Sequence, residues 1–128
     1  MFLKYNYPGI LWAIIILILT GLPANDFPDT SFLNIPYLDK IIHLFLFFVF
    51  AFLLARGFTL QSNIGWLKKY FLTLSLIFSI LYGALTEILQ YAIFTGRTSD
   101  IIDFFFDIFG GCAGILFFIF IKPLINMK

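Results

Sequence analysis

Four runs of this chain are each apolar over a length that reaches across a lipid bilayer. They cover about residues 5–22, 36–56, 68–94 and 100–121. At about 1.5 Å per residue, a helix of roughly 20 residues spans a hydrocarbon core of about 30 Å. Phe and Ile favour strands, but the runs are too long and lack the alternation of a lipid-facing barrel strand. Backbone polar groups in lipid must be satisfied within the segment, and a helix does this. The expected fold is an all-α integral membrane protein, a four-transmembrane-helix bundle forming a single domain over residues 1–128. Composition removes the soluble alternative. With 62% hydrophobic and 12% charged residues, too few polar side chains remain to cover a globule, and the mean hydropathy is +1.03.

The first run follows Lys4 and precedes Gly21 and Pro23, the outline of a secretory signal peptide. No clean small-x-small site precedes Asn25, so the run is read as a membrane helix. Pro23, Pro28 and Pro36 make the next stretch a loop; Gly57, Ser62, Asn63 and Gly65 make residues 57–67 another; Thr95, Gly96 and Arg97 form a short turn. Lys4, Arg56, Lys68, Lys69, Lys122 and Lys128 then fall on one side of the membrane, with Lys40 and Arg97 on the other. The positive-inside rule puts both termini in the cytoplasm and every acidic side chain in or near the outer half. A net charge of +1 without a basic cluster excludes a nucleic-acid partner. The lone Cys112 has no intrachain partner and reads as a small packing residue.

Residues 82–111 hold the feature that an inert bundle does not need. One apolar run carries Gly83, Glu87 and Gln90 on a shared face; after the turn, the next carries Asp100, Asp103 and Asp107, followed by Gly110, Gly111 and Gly114. On the second helix Asp39 and His43 are four apart, beside Lys40. Glu87 and Asp107 lie seven residues inside their helix ends, about 10 Å deep, and His43 lies about 6 Å past Asp39. Intramembrane carboxylates are expensive and ask for partners and a role. The expectation is a polar, water-accessible pocket between helices, open to the outer side. Several of these residues also have structural readings. Asp100 and Asp103 fit helix capping, Lys40 and Arg97 fit interfacial anchoring, and His43 fits an interhelical donor. Gly110-x-x-x-Gly114 fits helix packing, and Tyr5, Tyr7, Trp12 and Trp66 fit an interfacial belt. Glu87 and Asp107 are too deep for caps.

With these residues in place, the chain resembles the VanZ-like family, membrane proteins named for a teicoplanin-resistance determinant. Asp39-Lys40-x-x-His43, Gly83-x-x-x-Glu87-x-x-Gln90, Arg97-x-x-Asp100-x-x-Asp103 and Gly110-Gly111-x-x-Gly114 carry the resemblance, in order and on consecutive helices. It runs from about residue 38 to 114. The family commonly has Asn where this chain has Asp107, which adds a negative charge here and favours a cation or a shared proton. The resemblance implies a multi-pass protein of the bacterial cytoplasmic (inner) membrane with an envelope function, touching glycopeptide susceptibility.

The first functional expectation is an intramembrane enzyme acting on an envelope lipid, a lipid-linked glycan or a glycopeptide-type ligand. Glu87, His43, Asp39 and Asp107 are the candidate catalytic residues: Glu87 or Asp107 as base, His43 as acid/base held by Asp39. Lys40, Gln90, Arg97, Asp100 and Asp103 are the candidate substrate-binding residues, the two cations gripping phosphate or carboxylate. A divalent cation would be held by Glu87, Asp103, Asp107 and His43, although no fixed zinc-type spacing is present. The alternative is a non-enzymatic binder that shields an envelope precursor or captures a lipoglycopeptide antibiotic. Transport through the buried carboxylates ranks third, because the inner half offers few ionisable residues to continue a path, with Ser75 and Ser79 its only notable hydroxyls, and so small a chain would need to oligomerise.

Overall fold

The computed structural model describes residues 2–21, 38–61, 63–92 and 101–124, with the side chains of residues 38 and 39 outside the description. Five helices follow in order: α1 (Phe2–Gly21), α2 (Leu38–Leu60), α3 (Gly65–Lys69), α4 (Phe71–Ala92) and α5 (Ile101–Ile121). All but α3 are long and apolar enough to cross a membrane. The four-helix expectation holds, with two local differences. Helix α2 continues through Gly57 to Leu60, and the expected third helix is divided at Tyr70 into the five-residue α3 and the long α4. Gly57 does not stop α2 because it faces Asn6 and the Tyr5 carbonyl of α1, where a Cβ would lie 2.9 Å from that carbonyl oxygen. Helix α3 buries Leu67 and ends on Lys68 and Lys69, which suit the negative end of a helix dipole.

Helix α4 buries small and polar residues and turns its large side chains outward. The buried positions of α4 are Ser75, Ser79, Gly83, Thr86, Glu87 and Gln90, whereas Leu72, Phe78, Leu81 and Ile88 are exposed. That inversion suits a lipid solvent, in which apolar surface gains nothing by hiding and helix contact relies on close approach and hydrogen bonds. Helix α2 is the centre, packed against α1, α4 and α5. A compact apolar core of Ile16, Leu46, Phe47 and Phe50 joins α1 to α2, flanked by Trp12 and Tyr82. Trp12, expected at a membrane interface, lies in mid-helix instead and donates its indole N–H to the Leu46 carbonyl at 2.8 Å.

The α2–α5 seam sets the register of the site. Gly110 and Gly114 lie directly against the backbone carbonyls of Leu44 and Phe48. Both positions advance by four residues together, so the two helices run parallel although α4 separates them in the chain. Across α4 and α5 the order runs the other way: Gly83 faces Asp107 and Ser79 faces Gly111. Helix α1 meets α4 through the Tyr82 hydroxyl, which donates to the Ala13 carbonyl at 2.5 Å. Along these seams the helix ends bearing Lys40, Gln90 and Asp103 come together at one end of the bundle.

Candidate functional site

Three helices deliver the polar side chains to that end in two layers, one helical turn apart. In the outer layer Lys40 Nζ of α2 meets Asp103 Oδ1 of α5 at 3.0 Å. In the layer beneath, His43 Nδ1 of α2 meets Asp107 Oδ1 of α5 at 2.8 Å. Glu87 of α4 joins them, its Oε1 3.9 Å from His43 Nδ1. The imidazole's other nitrogen, Nε2, lies 3.9 Å from Asp103 Oδ2. Asp103 thus divides its oxygens, one toward Lys40 and one toward the histidine.

Burial makes these contacts consequential. His43 is 3% exposed, Glu87 8%, Asp103 5% and Asp107 1%. Buried charge is tolerated when paired and hydrogen-bonded, and this cluster has both kinds of contact. An ionised carboxylate can only accept, so with Asp107 ionised the shared proton sits on Nδ1, and Nε2 is the nitrogen that faces Asp103. Gly83 makes the arrangement possible: a Cβ there would lie 3.2 Å from Asp107 Cβ, 3.3 Å from its Oδ2 and 3.5 Å from the Phe47 ring. Among the described residues Asp107 Oδ2 has no hydrogen-bond partner.

The sequence places Glu87, His43, Asp103, Asp107 and Lys40 in one site, and the structure brings all five together. The segments where an opening was expected, residues 22–37 and 93–100, lie outside the described residues. So do Arg97, Asp100 and the side chain of Asp39. Among the described residues His43 is hydrogen-bonded to Asp107. Gln90 ties two helices, its Nε2 donating to the Thr20 carbonyl of α1 at 3.0 Å. Thr20 and Thr86 are buried nearby but were not expected in the site; Thr86 Oγ1 donates to the Gly83 carbonyl at 2.9 Å. Their signal was their position, Thr20 closing the first apolar run and Thr86 preceding Glu87. For a metal, His43, Glu87 and Asp103 each offer one ligand atom, all within 4.8 Å of one another. Such a mixed nitrogen and oxygen set suits a borderline divalent ion. Two ligands on a tetrahedral ion stand about 3.4 Å apart, so the 3.9 Å from Nε2 to Asp103 would have to close slightly. Asp107, counted with these ligands from sequence, instead engages His43.

Four spanning helices with a carboxylate–imidazole cluster buried at one end define a polytopic membrane protein with an intramembrane polar site. The VanZ/LLP1 family model matches residues 9–122, and the chain belongs to that family. No curated protein and no solved structure matches it.

Proposed function

We propose that this chain is an intramembrane enzyme of the bacterial inner membrane that acts on an amphiphilic envelope molecule, a lipid or a lipid-linked glycan. The observation that carries the proposal is the buried His43–Asp107 pair. Asp107 fixes one imidazole nitrogen at 2.8 Å, so the ring keeps one orientation and one tautomer, and Nε2 can take and return a proton. Glu87 lies beside the ring as a second base. Lys40 holds Asp103 in place and, with Arg97, is the group to meet a phosphate or carboxylate of the substrate. The cluster lies within the span, so its substrate brings a polar head from the bilayer, which selects amphiphiles over soluble metabolites. By the positive-inside argument the site faces the extracytoplasmic side.

The binder reading would rely on cations more than on a base. The test compares wild type with His43→Gln and Glu87→Gln, all reconstituted in nanodiscs and incubated with an extract of envelope lipids. Mass spectrometry should find a product made by wild type and lost in both variants, while all three insert and remain folded. A bound lipid with no product after prolonged incubation would favour the binder. Teicoplanin susceptibility of expressing cells gives a second readout, and equal susceptibility with and without His43 would detach that phenotype from this site.

A further inference from the structure

A second feature lies toward the other end of the molecule. Between α1, α2, α3 and α4 runs an apolar groove of about 480 Å³, walled by residues that include Ile10, Leu54, Phe58, Trp66, Leu81 and Tyr82. It exists because α1 is drawn onto α2. Gly9 sits against Leu53 and Leu54, and Gly57 against Asn6, whereas α1 reaches α4 at Tyr82–Ala13 and Gln90–Thr20, toward the acidic end. Away from those ties the two helices leave a gap.

We infer that this groove holds one acyl chain of an anionic phospholipid. Its walls are apolar, and an apolar gap in a bilayer-embedded bundle loses dispersion contacts unless a chain fills it. The phosphate is assigned to the lysine-rich end, because α1 and α4 are tied together toward the other. There the Tyr82 hydroxyl bonds Ala13, and the Tyr82 ring stacks near Phe47 at 6.3 Å between centroids. Phe47 in turn backs Gly83 beneath Asp107, so aromatic rings separate the groove from the acidic cluster. At the mouth, Trp66 and Leu67 of the wall run straight into Lys68 and Lys69, both exposed. No acidic residue occurs in residues 1–25, 40–86 or 108–128. The rim therefore presents cations without carboxylates, a charge pattern that selects an anionic headgroup over a zwitterionic one. Each lysine near such a headgroup is worth about fivefold in binding.

Trp66 is a built-in probe of occupancy. In a Trp12→Phe background, the protein is reconstituted in phosphatidylcholine vesicles. These contain a minor fraction of either phosphatidylglycerol or phosphatidylcholine brominated on the acyl chain. Brominated phosphatidylglycerol should quench Trp66 several-fold more strongly. The Lys68→Ala/Lys69→Ala variant should lose that preference and be quenched equally by the two lipids, and Lys68→Arg/Lys69→Arg should keep it. Equal quenching by the two lipids, no quenching by either, or a preference that survives loss of both lysines would each overturn the inference.

Discussion

Substituting Gly110 by Ala tests whether the α2–α5 contact holds the site together. A Cβ at Gly110 would run into the Leu44 carbonyl oxygen and come within 3.0 Å of its carbon and 3.1 Å of Leu44 Cα. Carbon atoms prefer about 3.5–4.0 Å, and a helix backbone cannot rotate aside as a side chain can. The helices must therefore part by about 1 Å, and overpacking of this kind costs about 1–3 kcal/mol. Leu44 adjoins His43, and Gly110 is three residues from Asp107. The same displacement would stretch the 2.8 Å His43–Asp107 bond beyond useful hydrogen-bond distance. Losing a hydrogen bond to a charged group adds about 1.5–3 kcal/mol. The comparison is Gly65→Ala, where nothing lies within 4 Å of the added carbon and the effect should be neutral or slightly stabilising. Thermal unfolding in nanodiscs gives the stability difference. His43 is the only histidine, so in a tag-free protein the nitrogen NMR signals of one ring report the geometry. A Gly110→Ala protein that melts with Gly65→Ala and shows an unchanged His43 spectrum would refute the reasoning.

Three further outcomes follow from individual contacts. Asp107→Asn should keep the fold and the His43 contact, because the amide oxygen accepts the same N–H; Asp107→Ala should lose about 1–3 kcal/mol, read by the same melting and NMR measurements. Lys40→Met should destabilise by about 3 kcal/mol by leaving Asp103 without its lysine, and Lys40→Met/Asp103→Leu should recover much of the loss; unfolding of the single and double variants measures this. Tyr82→Phe removes the bond to Ala13 and should lower stability by about 1 kcal/mol. Hydrogen exchange should then rise along α1 while α2 and α5 stay protected.

The spans were legible because a bilayer imposes one length on any crossing helix, and the site because carboxylates in apolar sequence stand out. Spacing alone grouped Glu87 with Gly83, and Asp103 with Asp107. Helix boundaries near Gly57 were less legible: glycine marks a stop in water, but in this bundle it permits the approach of Asn6. Tyr70 gave no sign of dividing α3 from α4. Sequence order also implies that neighbours in the chain are neighbours in space, which hid the parallel α2–α5 seam. That seam brings Asp107, 64 residues away in the chain, to 2.8 Å from His43, whereas the side chain of Asp39 lies outside the described residues. Local periodicity places residues on faces, and only the packing of faces chooses partners.

The parallel seam also bears on how the protein is made. Helix α2 emerges from the ribosome long before α5, carrying Lys40 and His43 into the membrane while Asp103, 63 residues further on, is still unsynthesised. Helix α5 must then insert with two aspartates in its first two turns, where each costs less than the roughly 2.5–3.5 kcal/mol of a helix centre, against a mean hydropathy of 2.3. Its docking on α2 relieves both helices at once. A nascent chain stopped before α5 already holds Glu87 on α4, but Lys40 and His43 of α2 still lack Asp103 and Asp107. The polar cluster is complete only when the helices that carry it have all arrived.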